Sequence, residues 1–111
     1  MSEFVDHLAE LLEEFGPVTV RRMFGGHGVF RDGLMFGLVV DDAFYLKVDE
    51  HNRAMFEASG LPPFEYIRKG KRIALSYYLA PEESLEDSHA LAEWAWPAFD
   101  AALRGKRTGR R

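Results

Sequence analysis

The sequence predicts an α+β domain, a mainly antiparallel sheet backed by helices in the order helix, three or four strands, helix, two strands, helix. Three observations carry this. Apolar residues recur at helical spacing near the two ends and once in the middle, the intervening runs are strand-like and punctuated by tight-turn dipeptides, and no βαβ alternation appears. With 111 residues, 47% of them hydrophobic, the chain can bury one core and not two.

Phe4, Val5, Leu8, Leu11, Leu12 and Phe15 fall on one helical face and Gly16-Pro17 follows as a stop, which predicts a helix over 3–15. Strand-like runs then cover 18–23, 26–31, 34–40 and 43–48, the last three joined by Asp32-Gly33 and Asp41-Asp42. Both central positions of the favoured hairpin turn need positive φ, which glycine tolerates freely and aspartate better than most residues. Residues 50–59 form a short helix after Asp49, closed by Gly60 and Pro62-Pro63. A hairpin of 64–68 and 71–78 turns at Lys69-Gly70. The last helix starts at Asp87 or Ser88 and buries Leu91, Trp94 or Ala95, Ala98, Ala102 and Leu103. Pro97 within it removes a backbone hydrogen bond and clashes with the preceding turn, a defect of about 3 kcal/mol that predicts a kink beside Trp94 and Trp96.

The two turns set a register in which Gly28 opposes Gly37 and both share a face with Phe30, Met35, Val39, Phe44, Leu46 and Val48, leaving a trough for a helix. Gly25 and Gly26 supply a bend or bulge between the first two strands. The opposite face then holds His27, Val29, Phe36, Leu38, Tyr45 and Lys47. It is too apolar for open water, so these residues are candidates for a homodimer or other protein interface.

The formal charge of −4 becomes −8 once Lys106, Arg107, Arg110 and Arg111, all in the last seven residues, are set aside. Residues 1–104 therefore form an acidic domain, and 105–111 a basic tail without apolar side chains, expected to be disordered. An acidic body repels nucleic acid at long range, so contact with DNA or RNA would use local cations: Arg68, Lys69, Lys71 and Arg72 at the second hairpin tip, with Lys106, Arg107, Arg110 and Arg111 of the tail. Charged tips also simply keep hairpins soluble.

Zero cysteines exclude disulfides and thiolate chemistry. The acidic start is unlike a signal peptide, no apolar run approaches the roughly 20 residues of a membrane span, and a cytoplasmic location is expected. Gly25-Gly26-His27-Gly28 matches no phosphate-loop pattern and leads into a strand, where an anion site needs a helix start. His7, His27, His51 and His89 have no metal-ligand spacing, and no serine sits in a nucleophile elbow, so neither metal, cofactor nor catalytic residue is predicted. A small-ligand or enzyme pocket around His27, Tyr45 and Lys47 stands as a third alternative.

RRMFGG (Arg21 to Gly26), FGLVVDDAFYLKVD (Phe36 to Asp49), PFEYIRKGKRIALSYYLAPEE (Pro63 to Glu83) and LEDSHALAEWA (Leu85 to Ala95) together resemble the N-terminal domain of the TfoX/Sxy family, over nearly residues 3–103. The resemblance implies a secretion-chaperone-like α+β fold, a non-enzymatic role in transcriptional or DNA-uptake competence regulation, and a second, C-terminal domain in full-length members that this chain lacks.

Overall fold

The computed structural model describes residues 3–109 other than Phe24, with side chains as far as Lys106. Among them run helix α1 (Glu3–Leu11), strands β1 (Thr19–Met23), β2 (Gly26–Arg31), β3 (Leu34–Val40) and β4 (Ala43–Lys47), helix α2 (Arg53–Ala58), strands β5 (Pro63–Arg68) and β6 (Lys71–Leu79), a 3-10 helix (Glu82–Glu86), and helix α3 (Ser88–Gly109). The strands make one antiparallel sheet in the order β1-β2-β3-β4-β6-β5, the expected α+β arrangement.

Turn chemistry explains the hairpins. Asp32-Gly33, Asp41-Asp42 and Lys69-Gly70 all take positive φ at both positions, between 51° and 77°, which matches the right-handed twist of the flanking strands. Helix α2 is shorter than 50–59 because residues 49–52 satisfy their polar groups locally. The Asp49 amide donates to Asn52 Oδ1 (2.8 Å), the His51 amide to Asp49 Oδ1 (2.9 Å), and Asn52 Nδ2 to the Lys47 carbonyl (3.0 Å).

The register of β3 with β4 is the expected one, Gly37 opposite Leu46 and Val40 opposite Ala43. That of β2 with β3 is not. Phe30 opposes Met35, but Val29 opposes Gly37 and Gly28 opposes Leu38, so Phe36 is an extra residue, a β-bulge. The expected pairing of Gly28 with Gly37 does not form, and the two glycines lie on opposite faces. A Cβ on Gly37 would meet Phe44 and Val29, whereas one on Gly28 would meet Met23, Phe30 and Met35. Because side chains alternate, one inserted residue exchanges the faces of everything on its far side. Val29 and Phe36, expected at an interface, are instead in the core at 1% and 0% exposure. His27 pairs with Val39 on that same helix-facing side, while Leu38, Tyr45 and Lys47 stay on the outer face.

Against the helix-facing side pack Val5 and Leu8 of α1, Leu12 and Phe15 just beyond it, and Leu91, Ala95, Ala98 and Phe99 of α3. Phe36 meets the rings of Phe15 (4.9 Å between centroids) and Phe99 (6.3 Å). Arg31 closes this cluster: its Nη1 donates to the Phe15 carbonyl and its guanidinium lies 4.7 Å from the Trp96 ring centroid and 4.8 Å from that of Phe15. It thereby ties the segment after α1 to the end of β2.

Helix α3 differs from expectation at its far end. It is helical on both sides of Pro97 and runs to Gly109, so the backbone of residues 105–109, expected to be disordered, continues the helix. Extending an existing helix fixes one residue per added hydrogen bond, and Lys106 suits the negative end of the helix dipole.

At the other end of α3, His89 Nδ1 lies 2.8 Å from Glu14 Oε2 and its Nε2 lies 3.6 Å from Glu93. The hydrogen bond to Glu14, then the two carboxylate charges, raise the imidazole above its usual 6.5. A raised folded-state pKa contributes stability that is full below the unfolded value and is lost as pH rises through the folded one. Thermal scans are therefore expected to show wild type losing stability above pH 6.5 relative to Glu14→Gln, with the difference flattening at higher pH.

Candidate interaction surface

Among the described residues no helix packs on the outer face of the sheet; its own last hairpin bends across part of it. Strand β6 pairs with β4 only through Tyr77, Tyr78 and Leu79, and the Val48 amide donates to the Ser76 carbonyl (2.9 Å). From Lys71 to Ala74, β6 pairs with β5. Pro63 opposes Tyr78 but Glu65 opposes Ala74, so β6 holds the longer arc and the ribbon bends. Phe64, Tyr66, Arg68 and Leu75 are brought around to Leu38 and Val40 of β3, enclosing a groove of about 340 Å³. Leu38, though it faces away from the helices, is 1% exposed.

An aromatic run holds this arrangement. Tyr45 meets Phe64 edge-on at 5.0 Å, and Phe64 stacks with Tyr66 at 6.4 Å. Tyr77 donates weakly to the Met35 carbonyl (3.4 Å), and burial pushes its hydroxyl up to about 12. Lys47 donates to Ser76 Oγ (2.9 Å) and lies 5.3 Å from the Tyr77 ring. Of the residues expected at an interface, Leu38, Tyr45 and Lys47 are thus on the grooved face, while His27, Val29 and Phe36 are not. The expected pocket of His27 with Tyr45 and Lys47 is divided by the sheet itself.

Arg68, Lys69, Lys71 and Arg72 are exposed together at the β5–β6 tip, where Arg72 Nε lies 3.6 Å from Glu65. Ile67, just before them and paired with Arg72, is 68% exposed. Lys106 is exposed near the end of α3; Arg110, Arg111 and the side chain of Arg107 lie outside the described residues. Gly25 has a φ of 73° in the β1–β2 turn, and Gly26 passes so close to the Val39 carbonyl that no side chain fits.

A second, shallower groove of about 660 Å³ opens where α2, β6 and α3 meet, lined in part by Lys47, Asp49, His51, Arg53, Ser76 and Arg104. Arg104 clamps Asp49 with two hydrogen bonds, Nε to Oδ2 at 2.6 Å and Nη2 to Oδ1 at 2.9 Å. The Arg104 hydrogen bond, opposed by burial and aided by the His51 amide, lowers the Asp49 carboxyl from 3.8 to about 2. A depressed carboxyl stabilises the fold above its unfolded value, and that contribution is lost as pH falls through the folded one. Asp49→Asn is expected to cost about 1 kcal/mol at neutral pH, discounted for solvent access. In urea titrations the difference from wild type should shrink between pH 3.8 and about 2. Nothing local in the sequence announces a partner 55 residues away.

Among the described residues no group of three or more His, Cys, Asp or Glu is placed to hold a metal ion, and no helix is long and apolar enough to cross a membrane.

Fold and surface together define a small α+β domain with a grooved outer sheet face. The family model described as TfoX N-terminal domain matches residues 10–102, and the chain belongs to that family. It is 30% identical over 78 residues to DNA transformation protein TfoX1 of Aliivibrio fischeri, covering 70% of this chain and 37% of that protein. It is 28% identical over 100 residues to protein Sxy of Escherichia coli, covering 89% of this chain and 47% of that one. The chain thus spans less than half the length of these relatives.

Proposed function

We propose that this domain acts by protein association, without catalysis, in the regulation of transcription or DNA-uptake competence. The carrying observation is the outer sheet face: an apolar groove walled by Phe64, Tyr66 and Leu75, with Arg68 at its rim. Such a surface, apolar at its centre and rimmed by cations, has the composition of a recognition site. Membership of the TfoX N-terminal family and the name of the Aliivibrio relative supply the biological setting.

The test is transformation frequency in Aliivibrio fischeri cells lacking TfoX1, supplied with a hybrid in which this domain replaces the matching segment of that protein. The hybrid is expected to restore transformation, and Val40→Asp in the groove floor to reduce it about tenfold or more. A hybrid no better than an empty vector would refute the proposed role.

A second function is favoured by the four cations at one hairpin tip beside Tyr66: contact with a nucleic-acid backbone. In that case, replacing Arg68, Lys69 and Lys71 by alanine flattens the salt dependence of binding to a DNA duplex. No binding of wild type at low salt would end it.

A further inference from the structure

We infer that two copies of this domain pair antiparallel through their β5 strands, with Tyr66 of each at the two-fold axis. This rests on the association role proposed above and names the partner for one edge of that surface: a second copy.

The sheet has two ends, and they are built differently. Strand β1 exposes Arg21 and Arg22, and Arg21 lies over the Phe30 ring (4.9 Å), the kind of charged edge that resists strand addition. Strand β5 ends the sheet on the other side, so one flank of its backbone has no neighbouring strand among the described residues. Its central residues Phe64 to Ile67 carry one charge, Glu65, which Arg72 of β6 accompanies. Among the described residues the most exposed large hydrophobic side chain, Ile67, is on this strand.

The residues of β5 complement themselves. Around a two-fold axis at Tyr66, perpendicular to the sheet, alternation keeps both copies' groove faces on one side. On that side Tyr66 meets its symmetry mate, and Arg68 of each copy falls opposite Phe64 of the other, a cation against an aromatic ring. On the reverse side Ile67 of each copy falls opposite Glu65 of the other, whose methylenes cover it while the carboxylate stays at the surface. Shifting the register by one residue would set groove-side residues against reverse-side ones, which a perpendicular two-fold axis forbids. The pairing would also extend the Tyr45, Phe64, Tyr66 aromatic run across the axis. One strand pair covers less than a standard interface, so dissociation on the order of micromolar or weaker is expected.

The absence of cysteine makes the test direct. In Tyr66→Cys the introduced thiols face each other at a Cα separation that a disulfide spans, in either kind of antiparallel pair. Mild oxidation is expected to give covalent dimer, while Thr19→Cys on the opposite edge stays monomeric. In sedimentation equilibrium, Ile67→Asp, which sets like charges against Glu65, is expected to raise the dimer dissociation constant about tenfold or more. Ile67→Lys, which sets opposite charges there, should dimerise more tightly than Ile67→Asp. Because Ile67 is largely exposed, both variants should keep the wild-type melting temperature.

A protein monomeric at all accessible concentrations, or a dimer insensitive to Ile67→Asp and uncrosslinked through Tyr66→Cys, would overturn the pairing. A monomer whose hybrid still restores transformation refutes this interface alone. A crosslinked dimer whose hybrid fails refutes the regulatory role and leaves the interface standing.

Discussion

Phe36→Ala is expected to destabilise the domain by about 3–5 kcal/mol, the largest loss for a single truncation here, because it empties a fully buried ring site between Phe15 and Phe99. Its neighbour gives the contrast. Met35 is half-buried on the outer face opposite Phe30, so Met35→Ala is expected to cost about 1–2 kcal/mol. In an unbulged ladder the two positions would change places, with Met35 towards the helices and Phe36 away from them. Urea midpoints of the two variants therefore report on the bulge itself: equal losses, or a larger loss at Met35, would show a regular β2–β3 register.

Gly26→Ala is expected to cost about 3 kcal/mol. Its Cβ would overlap the Val39 carbonyl oxygen and crowd Val40 Cγ2 at 3.1 Å. Backbone in the middle of a sheet cannot yield as a flexible side-chain tip would, so relief requires pulling β2 from β3. Gly33→Ala separates this overlap from glycine's conformational freedom. Gly33 has a φ of 77° but no atom within 4 Å of a built Cβ, so its loss is confined to backbone strain of about 1 kcal/mol. Denaturant titrations should rank Gly26→Ala well below Gly33→Ala in stability, and a reversed order would mean that β2 and β3 are not in close contact at Val39.

Element order and turns were legible in the sequence because their causes are local. Asp32-Gly33, Asp41-Asp42 and Lys69-Gly70 specify their own dihedrals, and the Phe4 to Phe15 stripe specifies its helix. The β2–β3 bulge had no local cause to read. Leu34 to Val40 is apolar almost throughout, so a one-residue slip changes no pattern of polar and apolar positions. What decides the slip is tertiary: Phe36 has an aromatic site between Phe15 and Phe99, contributed by segments on either side of it in the chain. That unread bulge moved Val29 and Phe36 from the expected interface into the core. The bend of β5–β6 is similar, since Phe64 and Leu75 read as ordinary strand residues until Tyr45 and Leu38 are beneath them. Arg31 and the Asp49–Arg104 clamp join residues remote in sequence and left no signal at all.

The connection between β4 and β6 has a dynamic consequence. The first four strands follow one another as a meander, the last two form their own hairpin, and the seam between these blocks is confined to Tyr45–Leu79, Leu46–Tyr78 and Lys47–Tyr77 with the flanking backbone bonds of Val48 and Ala80. Each block can therefore keep its internal ladder while the seam parts, and separation there would lift the ribbon off Leu38 as a unit. Parting along that single line would uncover the apolar floor by the displacement of one piece.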